Sequence, residues 1–227
     1  MLNEIQIKRM LGKLKSFEDI LDAKLFDKVA EPEVKAWVAD KQYHEIPSDD
    51  KFVPIQKGWK WGADGQYCWL KGSFIVPKEL DGKDVFIKPH VGFYEAMLWV
   101  NGKVNGTFAT KIVYTAHGNH YCDLLKKNAK AGETIEFALE MYAGHLYKGC
   151  HYFIEEGRSE FDYNFDCIDI CTKNAEINEF YFDLKTVNQV ANMLDVNSFR
   201  RGEAINALYE VHNSIYYAEG DCTEEEF

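Results

Sequence analysis

MLWVNGKVNG, residues 97–106, places four apolar residues ahead of two Asn-Gly pairs. Asn-Gly between strand-like runs is the strongest local hairpin signal, because both central residues of a type I′ turn need positive φ, which Asn tolerates and Gly adopts freely. The chain is therefore expected to reverse at Asn101-Gly102. The same texture continues on both sides: from Phe52 to about Cys171, short β-branched and aromatic runs alternate with Gly, Pro, Asn and Asp, as in QYCWLKGSFIVP (66–77), KDVFIKP (83–89) and ETIEFALEMYAG (133–144). Leu80-Asp81-Gly82-Lys83 predicts an Asp-Gly hairpin turn. Pro77 and Pro89 are expected to close strands, and Lys130-Ala131-Gly132-Glu133 to restart one.

Outside this region the period changes. Met10, Leu14, Phe17 and Leu21 fall on one helical stripe, so the first 45 or so residues read as helical, with a break near Lys15-Ser16 where Ser16 and Asp19 resemble a capping box. After Asn174, Val187, Val190, Ala191 and Leu194 fit one helix, and Ile205, Leu208, Val211 and Ile215 another. The resulting expectation is a mainly β fold, a jelly-roll or β-sandwich (galactose-binding-like) core flanked by N-terminal and C-terminal α-helices. Its segments are a helical stretch over 1–50, the sandwich over 51–175 and a helical linker over 176–227.

The 227 residues carry 37 acidic and 26 basic side chains, a formal net charge of −11. Phosphate contacts need clustered Lys and Arg, so nucleic acid is not an expected partner. MLNEIQIKRMLGKLK is amphipathic and lacks the apolar core of a secretory signal, and no stretch approaches the roughly 18 consecutive apolar residues of a spanning helix. A cytoplasmic location without membrane contact is expected. Its six cysteines, Cys68, Cys122, Cys150, Cys167, Cys171 and Cys222, are then expected as free thiols.

His117, His120 and Cys122 lie within six residues, with His145, Cys150 and His151 further on. HGNHYC offers no clear second ligand pair, and Cys167 with Cys171 would need one elsewhere, so no metal ligands and no cofactor are assigned. Nor does the sequence contain a G-x-S-x-G elbow, a Walker loop or H-E-x-x-H, so no catalytic residue is assigned either. Glu155, Glu156, Glu160, Asp162, Asp166 and Asp169 supply carboxylates, but glycoside hydrolysis needs a pair at a defined separation. Aromatic rings stack on sugar faces, which makes Trp59, Trp61, Tyr94, Phe108 and Tyr114 candidates for carbohydrate binding. Core packing is the competing use for each of them.

GWKWGADGQYCWLKGSFIVPKELDGKDVFIKP (58–89), EAMLWVNGKVNGTF (95–108), HGNHYCDLL (117–125), AGETIEFALEMYAGH (131–145), DLKTVNQVANML (183–194) and RRGEAINALYEVHNSIYY (200–217) together resemble the amino-terminal region of bacterial alpha-mannosidases of glycoside hydrolase family 38. The resemblance implies a large cytosolic retaining exo-mannosidase acting on mannosides or glycans. It also implies a divalent, zinc-like metal and an Asp nucleophile, both in a catalytic α/β domain that follows this region. That domain's metal motif begins His-x-His-x-Asp, and no His-x-His occurs here. No catalytic role is therefore carried over. The acidic DCTEEEF end is expected to lead toward the catalytic domain, which becomes the expected partner, with a homodimer as a further possibility.

A domain of this kind would pack against, orient or dimerise the catalytic portion. A carbohydrate-binding module and a standalone structural interaction domain are the alternatives. Two interdomain docking surfaces are expected: the helical tail, through Leu208, Val211, Ile215, Tyr216 and Tyr217, and the segment after the strong strand, through His145, Tyr147, His151 and Tyr152.

Overall fold

The computed structural model describes residues 2–109, 120–144 and 163–215. Their order is α1 (Glu4–Ala23), β1 (Phe26–Ala30), β2 (Val34–Ala39), β3 (Val53–Pro54), β4 (Lys60–Trp61), β5 (Tyr67–Ile75), β6 (Val85–Val91), β7 (Glu95–Val100), β8 (Lys103–Ala109), β9 (Asp123–Lys126), β10 (Thr134–Tyr142), β11 (Tyr163–Lys173), α2 (Ala175–Met193) and α3 (Phe199–Ser214). Tertiary contacts divide the chain into two compact units, one of residues 28–172 and one of residues 1–27 with 173–227.

The first unit is a two-sheet sandwich. One sheet runs β3-β2-β5-β10-β7-β8, and the other runs β1-β11-β6-β9 with β4 also paired to β11. The hairpin forms where the sequence places it. Asn101 (φ 48°) and Gly102 (φ 77°) both take left-handed backbone, and β7 pairs antiparallel with β8 across them. The core between the sheets is built by alternation. In β6, Val85, Ile87, Pro89 and Val91 are buried while Phe86, Lys88 and His90 stand on the other face. Ile168 and Ile170 of β11 and Leu70, Leu98 and Leu139 of the facing sheet complete the layer, each with no exposed surface. At Gly72 an added Cβ would stand 2.5 Å from the Phe137 ring, so this aromatic fills the space a side chain would take.

The six-stranded sheet is covered on its other face as well. Trp69 and Ala138 are buried there with Ala39 and Phe52, and Trp37, Tyr43, Ile46 and Trp99 pack against them. That second layer explains why β10 reads as almost continuously buried instead of alternating.

The second unit is helical. Asn3 and Gln6 form a reciprocal capping box at the start of α1, and the Asn174 side chain caps α2 through the Ile177 N–H at 3.1 Å. Leu14, Phe17 and Leu21 of α1 pack with Tyr181 and Leu184 of α2 and Ile205 and Leu208 of α3. Polar groups bind the same helices together. The buried Asn188 amide donates to Glu18 at 2.8 Å, and the Arg201 guanidinium makes a two-pronged pair with Glu4 at 2.9 and 3.0 Å while donating to the Ala191 carbonyl.

Several expectations are corrected. Helix does not extend to residue 45. It ends at Ala23, and β-branched alternation around Glu31-Pro32 gives β1 and β2, so the sandwich starts near Lys28 instead of residue 51 and the terminal helices share one unit. No break occurs at Lys15-Ser16: α1 runs through it, and the Ser16 hydroxyl bonds back to the Gly12 carbonyl instead of capping a new helix. Leu80-Asp81-Gly82-Lys83 is a turn, with Gly82 at φ 79°, but not a hairpin, since β5 and β6 lie in different sheets. Pro89 sits inside β6 instead of closing it. The partner strand β9 pairs only at Val85–Ile87, and beyond that point a missing N–H is tolerated. On α2 the buried stripe is Ile177, Tyr181, Leu184, Asn188 and Ala191, which leaves Val190 exposed.

Candidate functional site

An open groove of about 680 Å³ runs along the sandwich, floored by Val34, Phe52 and Phe165 and rimmed by charge. On the rim Lys71 pairs with Asp49 and Lys57 with Asp166, and each lysine holds its carboxyl partner below the usual carboxylate range. Phe52 and Phe165 are both buried, so Pro54 and Ile55, rather than an aromatic ring face, supply apolar lining between the charged rims.

At Asp166 the groove meets a second cluster, built by β11 and β6. The register shifts between Phe165 and Cys167, so that Cys167 stands opposite His90 and Asp169 opposite Lys88. A bulge of this kind re-aims the side chains that follow it. Cys167 and Asp169, two apart on one strand, then share a face with His90. His90 Nε2 lies 2.9 Å from Asp169 Oδ2, and the Cys167 thiol donates to Asp169 Oδ1 at 3.5 Å. Lys28 of β1 pairs with that same Oδ1 at 2.7 Å and also reaches Glu31 on the groove rim. Burial pushes the Asp169 carboxyl up, but Lys28 and the His90 charge outweigh it and hold it low. Burial, with the Asp169 charge added, pushes the Cys167 thiol up to about 11.

The sequence candidates scatter. Trp61 is 5% exposed, donates its indole N–H to the Gly92 carbonyl at 3.0 Å and packs on Tyr163, and Phe108 is 1% exposed beside Phe93. Neither ring is accessible to a sugar. Trp59 is half-buried against the sandwich core and Tyr94 packs edge-on to Tyr142, while Tyr114 lies outside the described residues. Leu208 and Ile215 are buried in the helical core and Val211 packs on it, so this part of the tail is not a free surface. Tyr216, Tyr217, His145, Tyr147, His151 and Tyr152 lie outside the described residues, as do His117, Cys150 and Cys222. Cys68, Cys122, Cys167 and Cys171 are in the thiol form, and none of the described helices is long and apolar enough to cross a membrane.

Two features escaped the sequence reading. His90, Cys167 and Asp169 gave no motif, because His90 and Asp169 are 79 residues apart and only strand pairing joins them. Among the described residues, the two most exposed large apolar side chains of the helical unit, Met193 at 86% and Phe199 at 80%, flank the turn between α2 and α3 and belong to neither expected stripe.

Residues 30–171 match the family profile described as alpha-mannosidase, jelly roll domain. The chain belongs to this family. The jelly-roll match spans the sandwich from the end of β1 to the Cys171 position of β11 and leaves the three helices outside it. Among solved structures, Faecalibacterium prausnitzii beta-glucuronidase is similar at 12% identity and a TM-score of 0.43, over 67% of this chain and 32% of that one. A Bacteroides uniformis beta-glucuronidase is similar at 12% identity and a TM-score of 0.44, over 64% of this chain and 17% of that one. A Ruminococcus gnavus beta-glucuronidase gives 11% identity and a TM-score of 0.42, over 66% and 29%. The chain thus spans a third or less of the length of these proteins. No curated protein sequence matches it.

Proposed function

We propose that this chain is the non-catalytic N-terminal domain of a cytoplasmic alpha-mannosidase of glycoside hydrolase family 38, and that it packs on and orients the catalytic domain of the same parent chain. The observation that carries the reading is the match of an alpha-mannosidase jelly-roll profile to the sandwich, residues 30–171. Removal of alpha-linked mannose from glycans or mannosides, and the zinc-like metal that serves it, belong in this reading to the catalytic domain.

The docking surface is placed on the helical unit. Val190, Met193, Val196 and Phe199 are 42%, 86%, 59% and 80% exposed within ten residues of chain, and apolar exposure concentrated in this way marks interaction sites on soluble domains. This replaces the tail stripe, whose Leu208 and Ile215 already have partners. The carbohydrate-module reading is weakened by the burial of Trp61 and Phe108.

The test is titration of this chain with the separately produced catalytic portion of its parent. Association is expected, weakened at least about tenfold (1.4 kcal/mol) by the pair Met193→Ser and Phe199→Ser. Association undetectable at high micromolar concentration overturns the docking role, and association indifferent to the two substitutions overturns the surface. Turnover of an aryl alpha-mannoside in proportion to this chain alone would overturn the non-catalytic reading.

A further inference from the structure

The grouping of His90, Cys167 and Asp169 has donor chemistry that neither a packing role nor the docking role uses. One imidazole nitrogen, one thiol sulfur and one carboxylate oxygen lie within 4.8 Å of one another, all half-buried on one face of β6 and β11. We propose that these three side chains form a binding site for a borderline transition-metal ion of the zinc type, clipping β6 to β11 and leaving a fourth position to water.

The geometry supports this on three grounds. Zinc bond lengths of about 2.0–2.3 Å in a tetrahedron set neighbouring donor atoms about 3.3–3.8 Å apart. The Cys167 Sγ–Asp169 Oδ1 separation of 3.5 Å already meets that, while His90 Nε2 lies 2.9 Å from the other carboxylate oxygen, Oδ2, so a carboxylate bound through one oxygen must turn slightly to share the ion with both donors. The donor set also suits the ion, since imidazole and thiolate together favour zinc over magnesium or calcium, which prefer oxygen. Finally, the backbone holds the donors in place. Cys167 and His90 are directly paired across the ladder, and the adjoining β-bulge fixes which face they share.

Lys28 is the competitor. Its ammonium occupies Asp169 Oδ1 at 2.7 Å, so the ion must displace it toward Glu31, which it already touches. This gives the proposal a signature that a plain ion-pair network lacks: removing the lysine charge should improve metal binding.

The experiment is titration of the full chain with Co(II) as a spectroscopic stand-in for zinc, followed by Zn(II) competition. One Co(II) per chain is expected, with intense visible bands of a tetrahedral ion and a near-ultraviolet thiolate-to-cobalt charge-transfer band, both displaced by Zn(II). The charge-transfer band should vanish in Cys167→Ser, affinity should fall at least tenfold in His90→Ala, and it should rise in Lys28→Met. A second measurement needs no variant: Zn(II) should protect Cys167 from alkylation in peptide mapping while Cys122 stays reactive. Absence of the charge-transfer band at saturating Co(II), its survival in a folded Cys167→Ser, its loss in Cys122→Ser, or unprotected Cys167 would each overturn the site.

Discussion

Among the described residues, the buried charged or amide side chains Glu18, Asn188 and Arg201 all belong to the helical unit, whereas the sandwich buries Glu140 alone. The same helical unit exposes Met193 and Phe199. A sheet needs no interior polar wiring, because its ladder hydrogen bonds already fix which strand lies beside which, and side-chain alternation fixes the face. Helices packed through Leu14, Leu21 and Leu208 slide and rotate at little cost unless directional bonds hold them. Glu18–Asn188 and Glu4–Arg201 supply those bonds. The difference teaches that the sandwich is specified from within, while the helices are pinned by a few polar contacts and carry the two most exposed large apolar side chains among the described residues.

The strongest way to break this contrast is to empty the sandwich core. Leu139, on central β10, has no exposed surface, and Leu139→Ala is expected to cost about 2–5 kcal/mol through lost burial and a residual cavity. Phe199→Ser, at 80% exposure, should stay within about 0.5 kcal/mol although it removes a larger side chain. Urea unfolding measures both, Leu139→Ala through tryptophan fluorescence and Phe199→Ser through the helical circular-dichroism signal. All five tryptophans (37, 59, 61, 69 and 99) lie in residues 28–172, so indole fluorescence reports the sandwich alone. Similar losses for the two variants would mean that Phe199 is a core residue and no docking surface.

A smaller effect sharpens the other side of the comparison. Arg201→Ala removes the guanidinium that bonds Glu4 of α1 and the Ala191 carbonyl of α2, and should cost about 1–3 kcal/mol, the scale of charge-assisted hydrogen bonds. The helical circular-dichroism transition should move to lower urea while the tryptophan transition holds its place. Equal movement of both would show that the two units unfold as one.

How legible each region was in the sequence follows the same division. The hairpin at Asn101-Gly102 is a local pattern with a local cause and is read correctly, whereas the strand-like run KDVFIKP is legible as a strand but not its continuation past Pro89. Strands β1 and β2 were missed because a helical stripe from Met10 to Leu21 lent its period to the residues after it, and nothing short of the sheet shows that Val34 faces Gly72. On α2 the apolar stripe was misplaced because its buried face includes an asparagine, and Asn188 is a core residue only because Glu18 waits across the interface. Trp61 and Phe108 looked like sugar platforms for the same reason: a sequence displays aromatic rings but not what covers them. The His90–Cys167–Asp169 cluster depends on strand pairing and a bulge, neither of which a linear pattern encodes.

Glu140 is the exception that tests the contrast most finely. It lies on β10 opposite Trp69, 8% exposed, and among the described residues its Oε1 has no hydrogen-bond partner, as is also true of the indole nitrogens of Trp69 and Trp99. Burial pushes its pKa above the ordinary value, more than Gln42 and the nearby His44 charge pull it back. The folded chain therefore holds this proton more tightly than the unfolded chain does. The stabilisation is fully present below the unfolded-state pKa and is lost as pH rises through the higher folded-state value. If the sandwich is specified by its ladders and apolar layers, the charge at Glu140 contributes nothing to the fold, and Glu140→Gln should raise stability at pH 7 by about 1 kcal/mol, the cost of a buried polar group short of its partners. Wild type and variant should converge as the pH falls below that of ordinary carboxylate titration, measured by thermal melts monitored through tryptophan. A loss of stability at pH 7 would mean that the ionised carboxylate is held by Gln42 and His44 as firmly as Glu18 is held by Asn188, and the sandwich too would then depend on a buried polar contact.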